Sequence, residues 1–222
     1  MITVHHLEHS RSQRVLWLLE ELELPYEIRP YRRDTKTMLA PPELQRVHPL
    51  GKSPVITDGD LTVAESGAII EYLVDKAGGR LRPAHGTPEQ RRYTYWLHFA
   101  EGTAMTPLLF KLVFDKVRTA RMPFFAKPIA RGIADKVSEN FIAPNLKRHL
   151  AFMEAELHER PWFAGPDFTA ADVQMSFPVE ASAARGGLDA AYPKLSDWLK
   201  RIHARPAYQR ALDKGGPFQI LS

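Results

Sequence analysis

The chain has 222 residues, 44% of them hydrophobic and 25% charged, which supplies enough apolar material for one large or two small domains and excludes a disordered polar chain. It contains no cysteine, so disulfides, a thiolate nucleophile and a Cys-X-X-Cys redox pair are excluded, and any thiol chemistry must use a thiol brought by a ligand. The net charge of +4 combines a balance of −3 over residues 1 to 78 with +7 over the remainder; the later cations alternate with acids, as at Lys147, Arg148, Glu154 and Glu156, which is the pattern of a solvated helix face rather than a nucleic-acid surface. No apolar run reaches the length of a membrane span, and the opening Met-Ile-Thr-Val-His-His has neither a basic start nor an apolar signal core. A cytoplasmic protein with no membrane partner is expected.

Residues 2 to 7 carry a short strand pattern. Ser12 to Glu23 reads as a helix whose apolar face is Val15, Leu18, Leu19 and Leu22, at i, i+3, i+4 and i+7. Pro25 ends it, and Tyr26 to Tyr31 reads as a second strand, completing the unit in which two strands lie parallel and the helix covers one face. Between strand and helix, Ser10-Arg11-Ser12-Gln13 has the spacing of a capping box, so Ser10 is a candidate helix start. His5, His6 and His9 are close in sequence, but adjacent strand residues point to opposite faces, and no shared metal is expected. Residues 34 to 42 look irregular, with a short helical turn from Pro42 to Val47.

The stretch from Val47 to Leu73 organises the chain. Asp58-Gly59 is a two-residue hairpin signal between Val55-Ile56-Thr57 and Leu61-Thr62-Val63, because such turns need positive φ. Pro54 cannot donate to a ladder and belongs at the first residue of its strand, leaving the Ser53 backbone free to pair with an extended peptide ligand. Glu65-Ser66-Gly67 then opens a helix carrying Ile69, Tyr72 and Leu73 at helical spacing. A helix start holds anions through its unpaired amides and macrodipole, so these amides with the Ser66 hydroxyl suit a carboxylate and Glu65 suits an ammonium. Together they match an α-amino acid head group; the plainer alternative is a capping Ser66 beside a solvated Glu65.

Residues 77 to 83, Ala-Gly-Gly-Arg-Leu-Arg-Pro, have linker punctuation. We therefore expect two domains, at residues 1 to 80 and 87 to 222. Beyond the linker the pattern is helical throughout, over 88–117, about 124–159, 170–184, 194–204 and 207–214. Phe168-Thr169-Ala170-Ala171-Asp172-Val173 is a capping box with a hydrophobic staple, a folding signal rather than a catalytic one.

Lys52-Ser53-Pro54-Val55 followed by Glu65-Ser66-Gly67-Ala68-Ile69, with the capping box at Thr169, resembles the cytosolic glutathione S-transferase family, of a serine, bacterial-like type. The resemblance covers nearly the whole chain. It implies an α/β thioredoxin-like N-terminal domain and an all-α C-terminal helical domain, assembled as a homodimer. It implies a cis Pro54, a Ser53 backbone pairing with the cysteinyl part of glutathione, Glu65 and Ser66 on the γ-glutamyl head, and Lys52 reaching the same ligand. Ser10 falls where family members place the hydroxyl that bonds the glutathione sulfur, with Ser12 as competitor. Leu39 stands where a basic residue usually meets the glycyl carboxylate, and Lys36 and Lys52 are the cations that could replace it. Met105 and Phe110 are expected to face an apolar electrophile site between the domains. The implied activity is a glutathione transferase with glutathione as co-substrate and a detoxifying role. The alternatives are a glutathione-dependent peroxidase or disulfide reductase, and a non-catalytic scaffold of the same fold.

Overall fold

The computed structural model describes residues 1–220. The chain begins with β1 (Ile2–Leu7), α1 (Ser12–Glu21), β2 (Tyr26–Tyr31), α2 (Glu43–Val47), β3 (Val55–Asp58), β4 (Leu61–Ala64) and α3 (Ser66–Lys76). The strands form one sheet in the order β2-β1-β3-β4, with β1 and β2 parallel, and β3 antiparallel to both β1 and β4. The hairpin turn is one residue later than the sequence predicts. Asp58 pairs with Leu61 inside the ladder, and Gly59, at φ +60°, opens the turn with Asp60. Asp58 is held in the strand because its carboxylate accepts from the Tyr72 hydroxyl at 2.7 Å and pairs with Lys76 at 2.6 Å.

After a turn-rich connection, α4 (Pro88–Phe99), α5 (Met105–Thr119), α6 (Lys127–Val137), α7 (Ala143–Glu159), α8 (Ala170–Ala181), α9 (Pro193–His203) and α10 (Pro206–Gly215) follow. The long helices expected over 88–117, 124–159 and 170–184 are each interrupted or ended by a π-helical turn, at Ala100–Ala104, Ser138–Ile142 and Ser182–Gly186. A π turn adds a residue to one revolution and rotates everything beyond it, so a 3.6-residue reading carried across it misplaces the face.

Helix α1 is the hub. Residues Ser12 to Glu20 are all buried, and it packs against β1, α3, α8 and α10. One core runs from the sheet (Ile2, Val4, Ile56) through Trp17 and Leu18 to Trp96, Phe163 and Trp198 of the helical half. The box at the start of α8 is formed: the Asp172 carboxylate accepts from the Thr169 amide at 3.0 Å and its hydroxyl at 3.1 Å. The same carboxylate also takes the Phe163 amide at 3.1 Å and Trp198 Nε1 at 3.2 Å. Burial pushes its pKa up to about 6 against those donors. Phe168 lies between the rings of Trp17 and Trp162, at 5.7 and 5.1 Å, so the staple residue also ties the start of α8 to α1.

Candidate functional site

A cleft of about 660 Å³ opens where the sheet half meets α5. Its floor is Leu7, Ser53, Pro54 and the corner Ala64-Glu65-Ser66; Lys52 stands on its rim, and Glu101 and Leu109 close it from the helical half. The structure thus gathers Lys52, Ser53, Pro54, Glu65 and Ser66 around one space. The Ser53–Pro54 peptide is cis. Ser66 is buried at the first turn of α3, where the leading amides have no helical acceptor. Glu65 is held at φ +71°, ψ 126°, a conformation that residues other than glycine avoid, at a cost of about 1–3 kcal/mol. Backbone outliers of this kind concentrate at binding sites, and this one turns β4 sharply into α3, setting a carboxylate beside a helix start.

Ser10 is one layer behind the cleft wall. It is 5% exposed, its hydroxyl lies 3.3 Å from Ser53 Oγ and 2.8 Å from Ser12 Oγ, and it accepts from the Ser12 amide at 3.2 Å. The capping box suggested by Ser10 and Gln13 does not form. Helix α1 starts at Ser12, the Ser10 oxygen caps its first amide instead of its third, and the Gln13 side-chain amide has no partner. Ser12 is wholly buried, and its hydroxyl bonds His6 Nδ1 at 2.8 Å. The adjacent histidines separate as strand alternation requires: His5 Nδ1 meets the Tyr31 hydroxyl at 2.9 Å, while His6 turns toward α1 and α10.

Neither Met105 nor Phe110 lines this cleft. Met105 is 5% exposed and belongs to a core cluster with Leu108, Ile142, Leu146 and Phe177, whereas Phe110 packs on Phe114 and Phe141 outside the cleft lining. The side chains that α5 and its preceding π turn present to the cleft are Leu109 and Glu101. The π-helical turn at Ala100–Ala104 adds a residue to the revolution just before α5, which turns the faces of α5 relative to α4.

Sequence reasoning also missed the charged frame. Arg11 lines the cleft, and its Nε reaches both Glu101 oxygens at 3.1 and 3.2 Å. Its guanidinium sits 4.7 Å above the Phe177 ring. Buried Arg14 shares the same carboxylate and donates to the Gln174 carbonyl at 2.7 Å. Beside Leu39 the cleft carries Arg33, Gln45 and His48 together with Lys52; Lys36 is not among its lining residues. Arg33 is braced by the carbonyls of Glu8 (3.3 Å) and Met38 (3.0 Å). Only the fold brings these residues together; the helical period marks Arg11 merely as polar.

Comparison with known proteins places this geometry. The family model described as "Glutathione S-transferase, N-terminal domain" matches residues 1–75, and "Glutathione S-transferase, C-terminal domain" matches residues 129–201. The chain is 35% identical to Glutathione S-transferase 3 of Schizosaccharomyces pombe, over 96% of this chain and 88% of that one. It is 34% identical to Glutathione S-transferase 1 of Saccharomyces cerevisiae, over 96% and 95%. Among solved structures, a glutathione S-transferase from Actinobacillus pleuropneumoniae superposes with a TM-score of 0.78 at 34% identity, covering 97% of this chain and 93% of that one. A glutathione transferase from Phanerochaete chrysosporium, solved in complex with oxidized glutathione, gives 0.74 at 25% identity over 96% of each chain.

Proposed function

The chain belongs to the glutathione S-transferase family, and on that premise we propose how its residues divide the work of a glutathione transferase. Glutathione is the co-substrate. Its γ-glutamyl carboxylate is taken by Ser66 and the first amides of α3, its ammonium by Glu65, its cysteinyl backbone by Ser53, and its glycyl end by the Lys52 side of the cleft. The observation that carries this reading is the convergence of Ser53, Glu65 and Ser66 on one cleft with the Ser10 hydroxyl directly behind Ser53.

Ser10 holds the thiol as thiolate. A thiol of pKa about 8.5 is roughly 3% ionised at pH 7; lowering it by two units makes roughly three quarters thiolate and takes about 2.7 kcal/mol. A hydroxyl bond to a charged partner supplies about 1.5–3 kcal/mol, and the start of α1 adds a fraction more. The thiolate then attacks a small apolar electrophile seated against Leu109. Residues 1 to 80 form the glutathione half and residues 87 to 222 the half that shapes the second subsite. A homodimer and a cytoplasmic detoxifying role follow from the family resemblance, and sedimentation tests the first; no helix among the described residues is long and apolar enough to cross a membrane.

Ser10→Ala should raise the pKa of bound glutathione and lower turnover of chlorodinitrobenzene while changing glutathione affinity little. Rates unaltered across pH 6 to 8 would remove Ser10 from the sulfur. Retention on immobilised glutathione without turnover of either chlorodinitrobenzene or a hydroperoxide would instead favour a scaffold.

A further inference from the structure

A run of hydrogen bonds lies behind Ser10 that thiolate stabilisation alone leaves idle. Ser10 Oγ is 2.8 Å from Ser12 Oγ, Ser12 Oγ is 2.8 Å from His6 Nδ1, and His6 Nε2 is 3.0 Å from the carbonyl oxygen of Gly215 at the end of α10. All three side chains are buried, at 5%, 0% and 6% exposure. A carbonyl can only accept, so Nε2 carries the hydrogen and, in the neutral ring, Nδ1 is an acceptor. Ser12 Oγ lies 3.3 Å from the Leu7 carbonyl but only 2.8 Å from Nδ1, and Ser10 Oγ lies 3.3 Å from Ser53 Oγ, to which it can also donate, but only 2.8 Å from Ser12 Oγ. In the arrangement that uses the two shorter contacts, Ser12 donates to Nδ1 and Ser10 donates to Ser12. In that arrangement both hydroxyl hydrogens point inward, and the Ser10 oxygen, which already accepts from the Ser12 amide, keeps one lone pair for a donor in the cleft.

The close approach of α10 is built into the packing. A Cβ on Gly215 would stand 2.6 Å from Leu16 Cδ1 and 2.8 Å from Gln13 Oε1, so any larger residue would have to displace these side-chain ends beside His6. The groups facing the ring are Ser12, Gln13 and Leu16 of α1, the Gly215 carbonyl, and the charges of Glu8 and His9 just after β1. Burial depresses the His6 pKa; the Gly215 bond and Glu8 oppose that, and His9 adds to it. The ring is thus neutral at neutral pH, with Nδ1 free to accept a hydrogen bond.

We propose that His6 receives the proton of the glutathione thiol through Ser12 and Ser10. This rests on the reading of Ser10 as the group at the sulfur. In the starting arrangement S–H donates to Ser10, Ser10 to Ser12, and Ser12 to His6 Nδ1. One concerted shift breaks the S–H bond with its electron pair left on sulfur and puts that proton on Ser10 Oγ. The Ser10 proton moves to Ser12 Oγ, and the Ser12 proton to Nδ1. The products are a thiolate that now accepts from Ser10 and an imidazolium that donates to Ser12, with the total number of protons unchanged. After the conjugate leaves, the imidazolium proton returns along the same hydroxyls to water in the cleft. His6 is a positioning residue in the resting enzyme, since it fixes which way both hydroxyls point, and it touches neither substrate.

The test uses the full chain with glutathione and chlorodinitrobenzene. His6→Asn keeps an amide oxygen able to accept from Ser12 but cannot take up the proton; Ser12→Ala breaks the run in the middle without touching the histidine. Both should lower kcat/KM at neutral pH by about a hundredfold, the lower end of the range for positioned proton transfer, with glutathione affinity by calorimetry nearly unchanged. The ultraviolet thiolate titration of bound glutathione should shift to higher pH. In mixed light and heavy water, the wild-type proton inventory should bow and that of either variant should be straight. Wild-type rates, pH profile and inventory in both variants, alongside an impaired Ser10→Ala, would overturn the relay and leave Ser10 in place. An unimpaired Ser10→Ala would overturn the assignment of Ser10 itself, and the relay with it.

Discussion

Arg11 and Glu101 face each other across the junction of the two halves, with Arg11 Nε 3.1 and 3.2 Å from the two carboxylate oxygens. Glu101 also neutralises Arg14, whose side chain is 2% exposed. Burial lowers the Arg14 pKa, and Glu101 counters that. Glu101→Gln removes the one carboxylate that two guanidiniums share. Breaking a fully buried pair costs about 3–5 kcal/mol; because the Glu101 side chain is 34% exposed, solvent screening reduces the expected loss to about 1–3 kcal/mol. Burial raises the Glu101 pKa, but Arg14 and Arg11 outweigh it and hold it below its ordinary value of 4.5. The stabilisation is therefore complete above that unfolded value and fades as pH falls through the lower folded one. Calorimetric melts should show this acid limb in the wild type and a weaker one in the variant; identical limbs would mean the pair contributes nothing.

Glu20 fastens the last helix to the first. Its carboxylate accepts from the Tyr26 hydroxyl at 2.7 Å and Arg210 Nε at 2.8 Å, and it pairs with Lys214 as well. Burial raises its pKa, but the bonds from Lys214, Tyr26 and Arg210 prevail and hold it at about 2. An acid whose folded pKa lies below its unfolded value of 4.5 stabilises above pH 4.5 and loses that contribution on acidification toward pH 2. Glu20→Gln should therefore speed amide exchange in residues 206 to 215 at neutral pH, and acid should do the same to the wild type. Since Gly215 holds His6, the variant should also weaken the His6–Gly215 bond; exchange in α10 no faster than in the wild type would show that its docking is apolar.

Thr169→Ala removes the hydroxyl from the box at the start of α8 while keeping the Thr169 amide that bonds Asp172. The expected cost is about 0.5–2 kcal/mol, toward the upper end because the whole box is buried. Circular dichroism melts measure it, and an unchanged midpoint would mean that the Phe163 and Trp198 donors suffice to hold Asp172.

Local patterns in the sequence announce most of this fold. The strand–helix–strand opening, the hairpin signal at Asp58-Gly59, the box at Thr169 and the helix start at Ser66 each depend on residues within a few positions of one another, and each element forms at its pattern or, for the hairpin turn, one residue beyond it. Glu65, Ser66 and Ser53 meet in the cleft because the same short hairpin carries them all. What could not be read is what depends on distance or on a change of helical period. Arg11 meets Glu101 ninety positions away, and Gly215 reaches His6 from the far end of the chain. Nothing local marks the π turns, yet they decide which residues of α5 face the cleft.

The exchange of Met105 and Phe110 for Leu109 can be tested on substrates. Leu109 is 57% exposed and lines the cleft, whereas Met105 is buried among Leu108, Ile142, Leu146 and Phe177. Truncating Leu109 removes apolar wall that a hydrophobic electrophile would cover, so Leu109→Ala should raise KM for an apolar electrophile several-fold, as expected from about 25 cal/mol per Å² over a partly covered side chain, while leaving the melting midpoint within about 1 °C. Met105→Ala opens a cavity in packed core and should cost about 2–5 kcal/mol of stability. Its KM should follow the wild type wherever the variant remains folded. Phe110→Ala, at a half-exposed ring stacked on Phe114 and edge-on to Phe141, should change stability modestly and KM not at all. Steady-state kinetics with a series of electrophiles of increasing apolar area separate the three, because only the residue on the cleft wall should show a KM effect that grows with the area of the substrate. If that dependence follows Met105 instead, the rotation produced by the π turn is not the one that governs the working enzyme.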